Sequence, residues 1–172
     1  MKSVFTTKRI CRAGIIAALY VGLTYAFMPL AFGAFQVRPV EALCILPLFF
    51  PEAIPALCVG CALSNLASPF ALYDVLFGSL TTLLASLGTY TVGRYIKKTA
   101  PKIVFGGLFP VLLNAFIIPL VIVFLCGDTA GQATVWTAYL FYAGSLLVTQ
   151  SVWVYGLGTP LALLLSRRER MQ

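Results

Sequence analysis

The charged residues of this chain stand far apart. No Asp, Glu, Lys or Arg occurs between Arg12 and Arg38, between Glu52 and Asp74, between Asp74 and Arg94, between Lys102 and Asp128, or between Asp128 and Arg167. A helix that crosses a bilayer needs about 20 mostly apolar residues, and each of these gaps holds one. The interval from Arg38 to Glu52 is shorter and carries Glu41, which suits a short or tilted helix opening on a cavity. In lipid the backbone polar groups must be satisfied within the protein. Long continuous apolar runs do this as helices, whereas barrel strands would alternate over about ten residues. The expected fold is an all-α integral membrane protein. It forms a single transmembrane domain over residues 1–172, with six transmembrane helices near 10–31, 38–51, 53–68, 73–95, 103–126 and 133–165. The last is longer than a bilayer needs and is expected to tilt or run past it.

Composition narrows the chemistry. Hydrophobic residues make up 60% of the chain and charged residues 10%, against about 25% charged in a soluble domain. That excludes a water-soluble domain, and it excludes disorder, which needs low hydrophobicity and many charges. Histidine is absent, so histidine bases, Ser-His triads and His-ligated metals are excluded together. No cofactor and no metal site are expected, and the chain is not expected to be an enzyme.

The net charge of +7 would suit nucleic acid or an anionic membrane surface. Position decides between them. Lys2, Lys8, Arg9 and Arg12 precede the first span, and Arg94, Lys97, Lys98 and Lys102 lie between the fourth and fifth. Arg167, Arg168 and Arg170 follow the sixth. Six spans put all three clusters on one side and leave Arg38 alone on the other. The excess of Lys and Arg in cytoplasmic segments then places both termini in the cytoplasm, and nucleic acid is not an expected partner. The N-terminal run is too long for a signal-peptide core, and Ala31-Phe32-Gly33 is a poor cleavage step, so the first helix is read as retained.

A few polar residues remain inside the apolar runs. Arg38 and Glu41, at i and i+3, share a face if a helix starts at Pro39. They read either as a buried ion pair or as part of a substrate site, since intramembrane charges face interiors or cavities. Asp74 opens the fourth span, as a helix cap or a site residue. Asn65 and Asn114 lie in the third and fifth spans. Tyr139, Tyr142, Thr149, Gln150 and Trp153 are expected on roughly one face of the sixth. Each amide alone reads as helix-bridging glue. Together they suggest a polar pocket in the outer half, suited to a flat heterocycle that stacks on aromatic rings and pairs N–H groups with a carboxylate. Asp128 reads as a solvated loop charge and Glu52 as a turn residue. Cys58-Val59-Gly60-Cys61 reads as small core residues, because a zinc site would need two more ligands. On the first helix Ala13/Ala17, Gly14/Ala18 and Ala18/Gly22 are small-xxx-small pairs that let helices approach closely. No GxxxxGK[ST] phosphate loop occurs. Pro47, Pro110, Pro119 and Pro160 fall inside spans, where each frees a carbonyl for a neighbour or a substrate.

The run Phe32-Gly33-Ala34-Phe35-Gln36-Val37-Arg38-Pro39-Val40-Glu41-Ala42-Leu43 resembles the first-loop motif of the queuosine-precursor transporter family. Asn65-Leu66-Ala67-Ser68-Pro69-Phe70 followed by Tyr73-Asp74-Val75-Leu76-Phe77-Gly78-Ser79-Leu80 resembles its second signature. Gln150 with Tyr155-Gly156-Leu157-Gly158-Thr159-Pro160-Leu161 resembles its C-terminal one. Residues 97–135 match only in hydrophobic character.

The resemblance implies the substrate-binding (S) component of an energy-coupling-factor (ECF) transporter in a bacterial cell membrane. It implies a six-helix S-component fold, a transmembrane coupling subunit and two cytoplasmic ATPase subunits as partners, and cargo such as queuine or a related 7-deazaguanine. It also implies that an alanine motif on the first helix, here Ala13 and Ala17 flanked by Gly14 and Ala18, meets the coupling subunit. The expected substrate set is Arg38, Glu41, Asn65, Asp74, Asn114, Tyr139 and Gln150. The cargo would lie between the loop after the first helix and the last three helices. The alternatives are an S component for another vitamin, riboflavin- or thiamine-like, a structural membrane subunit, and an intramembrane enzyme relying on Asp74 or Glu41.

Overall fold

The computed structural model describes residues 6–31 and 36–170, with side chains as far as Arg167. Lys2, residues 32–35 of the first-loop motif and the side chains of Arg168 and Arg170 lie outside the described residues. Every regular element among the described residues is helical. Helix α1 spans Thr7–Ala26 and is followed by the single turn Met28–Ala31. Helix α2 (Pro39–Leu48) is a 3-10 helix, and α3 covers Ala53–Asn65. Helix α4 runs over Ala71–Tyr95 and α5 over Thr99–Leu125. Helices α6 (Val135–Gly156) and α7 (Gly158–Arg170) follow.

The last expected span is thus two helices. They part at Leu157, between two glycines and shortly before Pro160, whose ring and missing N–H oppose a continuous helix. Four stretches among the described residues are long and apolar enough to cross a membrane: α1, α4, α5 and the α6–α7 rod Val135–Arg167. Helices α2 and α3, of 10 and 13 residues, are shorter, so helix length alone does not give six crossings.

The short α2 is the centre of the bundle. Eight of its ten residues are buried, and it packs against every other helix. A 3-10 helix rises about 2.0 Å per residue, so ten residues reach about 20 Å where an α-helix would reach about 15 Å. Pro39 takes the first position, where its missing N–H costs nothing. At the far end the α4 backbone closes on α2. A Cβ on Gly93 would lie 2.6 Å from the Leu48 carbonyl oxygen.

That far end is knitted by charge and aromatic rings. Arg12 Nη1 pairs with Glu52 Oε1 at 2.7 Å, and its guanidinium lies 4.2 Å from the centre of the Phe50 ring. Lys102 Nζ sits 4.5 Å from the Phe49 ring centre. Glu52 is therefore an ion-pair partner, more than a turn residue. The start of α1, the α2–α3 turn and the start of α5 meet here, and Leu165 of α7 packs into the same core as Ile16 and Ala53.

Leucines and valines cover the outside. Leu72, Leu140, Val148 and Leu164 are each more than 60% exposed, an apolar surface suited to lipid contact.

One interior proline shows how the helices meet their backbone obligations. Pro110 has no N–H for the carbonyl four residues earlier. That carbonyl, Gly106 O, accepts instead from Thr89 Oγ1 of α4 at 2.8 Å. Thr89→Val keeps the shape and removes the donor. Interhelical hydrogen bonds in membrane proteins contribute about 0.6 kcal/mol on average and about 1.7 kcal/mol at most. Thr89→Val should therefore lower stability by about 1 kcal/mol in detergent unfolding, whereas Thr89→Ser should behave as the parent; equal stability for all three chains would contradict this role.

Candidate functional site

The two short helices end in the interior, and their ends frame a cavity. The segment before α2 and its first turn supply Gln36, Arg38 and Glu41. Helix α3 supplies Cys61 and its last residue, Asn65. The start of α4 supplies Asp74, Gly78 and Thr82, and α5 supplies Asn114 and Ile118. A bilayer core is about 30 Å thick, and α2 and α3 each span only about 20 Å. The depth they leave free holds the polar side chains.

The charges are deeply placed. Arg38 is 8% exposed and Glu41 2%. Arg38 Nε lies 3.6 Å from Glu41 Oε1, an ion pair without a hydrogen bond. The Tyr20 hydroxyl of α1 accepts from Arg38 Nη2 at 3.5 Å. Cys44 Sγ donates to Glu41 Oε2 at 3.2 Å. Positions 38, 41 and 44 stack because side chains at i and i+3 eclipse in a 3-10 helix.

Asp74 lies opposite, half-buried. Its position differs from a helix-capping one, because α4 begins at Ala71 and Asp74 falls one turn in. It opens a π-helical stretch, Asp74–Gly78, a feature that often occurs at functional sites. The Ser68 hydroxyl donates to Asp74 Oδ2 and also accepts from the Phe70 N–H at 3.1 Å. Asn65 Nδ2 donates to the main-chain oxygen of Asp74 at 2.8 Å. Gly78 makes room for that amide, since a Cβ there would lie 2.6 Å from Asn65 Nδ2.

Five of the seven expected substrate residues thus meet around one cavity: Arg38, Glu41, Asn65, Asp74 and Asn114. Tyr139 and Gln150 of α6 do not line it. The cavity lies between the segment before α2 and α4 and α5, two of the three helices expected to border the cargo, with α3 in place of α6. Gln150 is buried, and its Oε1 has no hydrogen-bond partner. Tyr139 is half-buried in an aromatic group with Phe124 and Trp136, and its hydroxyl reaches the Phe116 carbonyl at 3.5 Å. The buried stripe of α6 is Ala138, Tyr142, Ser145, Leu146, Gln150 and Val154. Of the five residues expected on roughly one face, Tyr142 and Gln150 belong to that stripe, and Tyr139, Thr149 and Trp153 flank it. Asp128 accepts from the Tyr142 hydroxyl at 2.9 Å and the Ala130 N–H at 2.8 Å, so it anchors its loop.

Sequence reasoning missed Gln36, Cys61, Gly78, Thr82 and Ile118 as cavity residues. Cys61 had a signal, since it stands one helical turn before Asn65 and shares its face. The cavity measures about 20 Å3, room for about one water molecule. A bicyclic heterocycle enters only if side chains or helices move apart.

The small-residue stripe of α1 divides. Ala13 and Ala17 pack inward with Ile16 and Tyr20, against α3. Gly14 and Ala18 face outward, and Ala18 and Gly22 form the floor of a shallow apolar groove walled by Ile15, Leu19 and Leu23. The cause is the 3.6-residue period, which turns positions 13 and 17 toward the core and positions 14, 18 and 22 away from it.

The QueT transporter family model matches residues 10–167. The queuosine precursor transporter QueT of Lactococcus lactis subsp. cremoris (strain MG1363) is 37% identical over 92 residues, 52% of this chain. The matched region spans 54% of that relative's length, so the chain aligns with about half of it. No solved structure matches the chain. The chain belongs to the QueT transporter family, and with its apolar helices it is a multi-pass membrane protein.

The buried ion pair gives a test of the cavity's electrostatics. Glu41→Gln leaves the Arg38 charge without its partner, a change that costs about 3–5 kcal/mol in buried pairs. Unfolding of Glu41→Gln should show a loss of that order, and Arg38→Met/Glu41→Leu should recover most of it. A Glu41→Gln chain as stable as the parent would show that Arg38 does not depend on Glu41.

Proposed function

We propose that this member of the QueT transporter family is the substrate-capture subunit of an ATP-driven ECF importer and that its cargo is a queuosine precursor, queuine or a related 7-deazaguanine. The observation that carries the reading is the cavity itself. An arginine and two carboxylates, with Asn65 and Asn114, face a space inside an otherwise apolar bundle. Intramembrane charges are costly and mark binding sites or transport pathways. The name of the Lactococcus relative supports the cargo class.

In this reading Asp74, or Glu41 on the other side of the cavity, accepts the exocyclic amine and ring N–H of the base as a charge-assisted pair. Arg38 donates to the ring carbonyl. Asn65 and Asn114 read the remaining edge. Gln150 and Tyr139 join only as the closed cavity widens toward α6, and the unpartnered Gln150 Oε1 would then gain a donor.

The sequence has no phosphate-binding loop, so the energy comes from partners: a transmembrane coupling subunit and two cytoplasmic ATPase subunits. The outward face of α1, with Gly14 one turn before the groove floored by Ala18 and Gly22, is the docking face for the coupling subunit. The end that gathers Arg12 and Lys102 is the cytoplasmic one, by the excess of basic residues there. Both termini then lie in the cytoplasm, and with α6 and α7 counted as one crossing the chain takes a six-helix S-component arrangement. Reorientation of the whole subunit against its coupling partner delivers the cargo.

Uptake of labelled base tests the reading in bacterial cells that express this chain with and without the coupling and ATPase subunits. Accumulation of a 7-deazaguanine should require all of them and should fall at least about tenfold in Asp74→Asn, the equivalent of about 1.4 kcal/mol. Uptake that needs no ATPase would contradict the coupling, and accumulation of riboflavin or thiamine in place of the base would contradict the cargo.

A further inference from the structure

Asn65 is held in one orientation by the residues around it. Its side-chain nitrogen carries two hydrogens and its oxygen only accepts. The main-chain oxygen of Asp74 has no hydrogen to give, so the group 2.8 Å from it is the NH2. The second hydrogen of that NH2 points to Cys61 Sγ, 3.4 Å away. Thr82 Oγ1 contacts the same sulfur at 3.3 Å and is itself tied to the Gly78 carbonyl at 2.9 Å. Both hydrogens of Asn65 are therefore committed to the wall. What the amide has left for a ligand is its carbonyl oxygen.

A second feature of the same cavity points to a ligand. Arg38 is more than nine-tenths buried, lines the cavity, and its Nε–H has no hydrogen-bond partner. A buried N–H donor that has an ion-pair partner but no hydrogen-bond acceptor is costly and would be relieved by an acceptor that arrives with cargo. Beside the amides of Gln36 and Asn114, the cavity thus offers Arg38 as a charged donor and the Asn65 oxygen and the Glu41 and Asp74 carboxylates as acceptors. The matching partner is a ring edge with a carbonyl next to N–H groups.

We propose that Cys61, backed by Thr82, is the positioning residue that locks Asn65 as an acceptor and so sets the cavity's selectivity for cargo with an exocyclic amine. This rests on the cavity being the cargo site. Sites built to hydrogen-bond a substrate group reject the analogue that lacks it, because their own polar groups are then left unpaired. The sulfur acts through Asn65 and does not itself touch cargo.

The test is equilibrium binding to the full chain in lipid nanodiscs, with 7-deazaguanine and with 7-deazahypoxanthine, which lacks the exocyclic amine. The parent should prefer 7-deazaguanine by at least about tenfold. Cys61→Ala, which removes the acceptor for the Asn65 N–H, should bring the two affinities to within about threefold, mainly by weakening 7-deazaguanine. Cys61→Ser, whose oxygen accepts, should restore the preference. Thr82→Val should narrow it in the same direction, which provides a second reading where Cys61→Ala does not fold. An undiminished preference in Cys61→Ala and Thr82→Val, or a parent that binds both bases equally, overturns the positioning role and leaves the cargo site standing. A parent that binds neither base overturns the cargo assignment as well.

Discussion

The burial of Arg38 is the constraint around which the interior is arranged. A guanidinium taken out of water needs a compensating charge and acceptors. Glu41 supplies the charge, Tyr20 of α1 supplies a hydroxyl, and Cys44 steadies Glu41 from one turn further on. This ladder exists because α2 is a 3-10 helix, in which every third side chain falls on one line. The same geometry stretches ten residues to about 20 Å, far enough to join the arginine to the aromatic and basic end where Phe49, Phe50, Arg12 and Lys102 meet. One short segment therefore connects the ligand-sized problem at one end to the charge pattern at the other.

The cavity follows from helix length. Helices α2 and α3 stop in the interior while α4 and α5 run on. The shortfall exposes the ends of two helices to one another, and polar ends need partners. Asn65, Ser68 and Asp74 satisfy each other, and the π-helical stretch at Asp74–Gly78 turns the acid toward them. The result is nearly closed around about one water. A cavity of this kind holds its polar groups in place, and under the proposed function cargo would have to part the helices and would pair the Arg38 donor.

Much of this was legible in the sequence because charge is so scarce. The gaps between Arg12, Arg38, Glu52, Asp74, Arg94 and Asp128 mark where helices run. The isolation of Arg38, Glu41 and Asp74 marks residues that need an interior. Less was legible where the reading depended on which way a side chain turns. Ala13 and Ala17 share the small-residue pattern with Gly14 and Ala18 but face the core, because helix phase depends on what α3 offers as a partner. Tyr139 and Gln150 fit one another in spacing, about 20° apart on an α-helix, yet only Gln150 is fully buried. Cys61 and Thr82 are small and weakly polar; only the position of Cys61 one turn before Asn65 hints at its place, and Thr82 is identified by its contact with Cys61. Glu52 was hidden for another reason: its partner Arg12 lies 40 residues away, and only the fold brings the two together.

The membership of residues 10–167 in a transporter family and the charged interior both support the central proposal, that the space between Arg38 and Asp74 holds cargo. The most direct measurement is an experimental structure of the chain with a 7-deazaguanine bound. The expected result is ring density between Arg38 and Asp74, with the ring carbonyl toward the guanidinium, the amine toward the carboxylate, and the ends of α2, α3 and α4 farther apart than in the closed cavity. Density for the base elsewhere, such as against Trp136 and Tyr139, with the Arg38 cavity still closed, would contradict it.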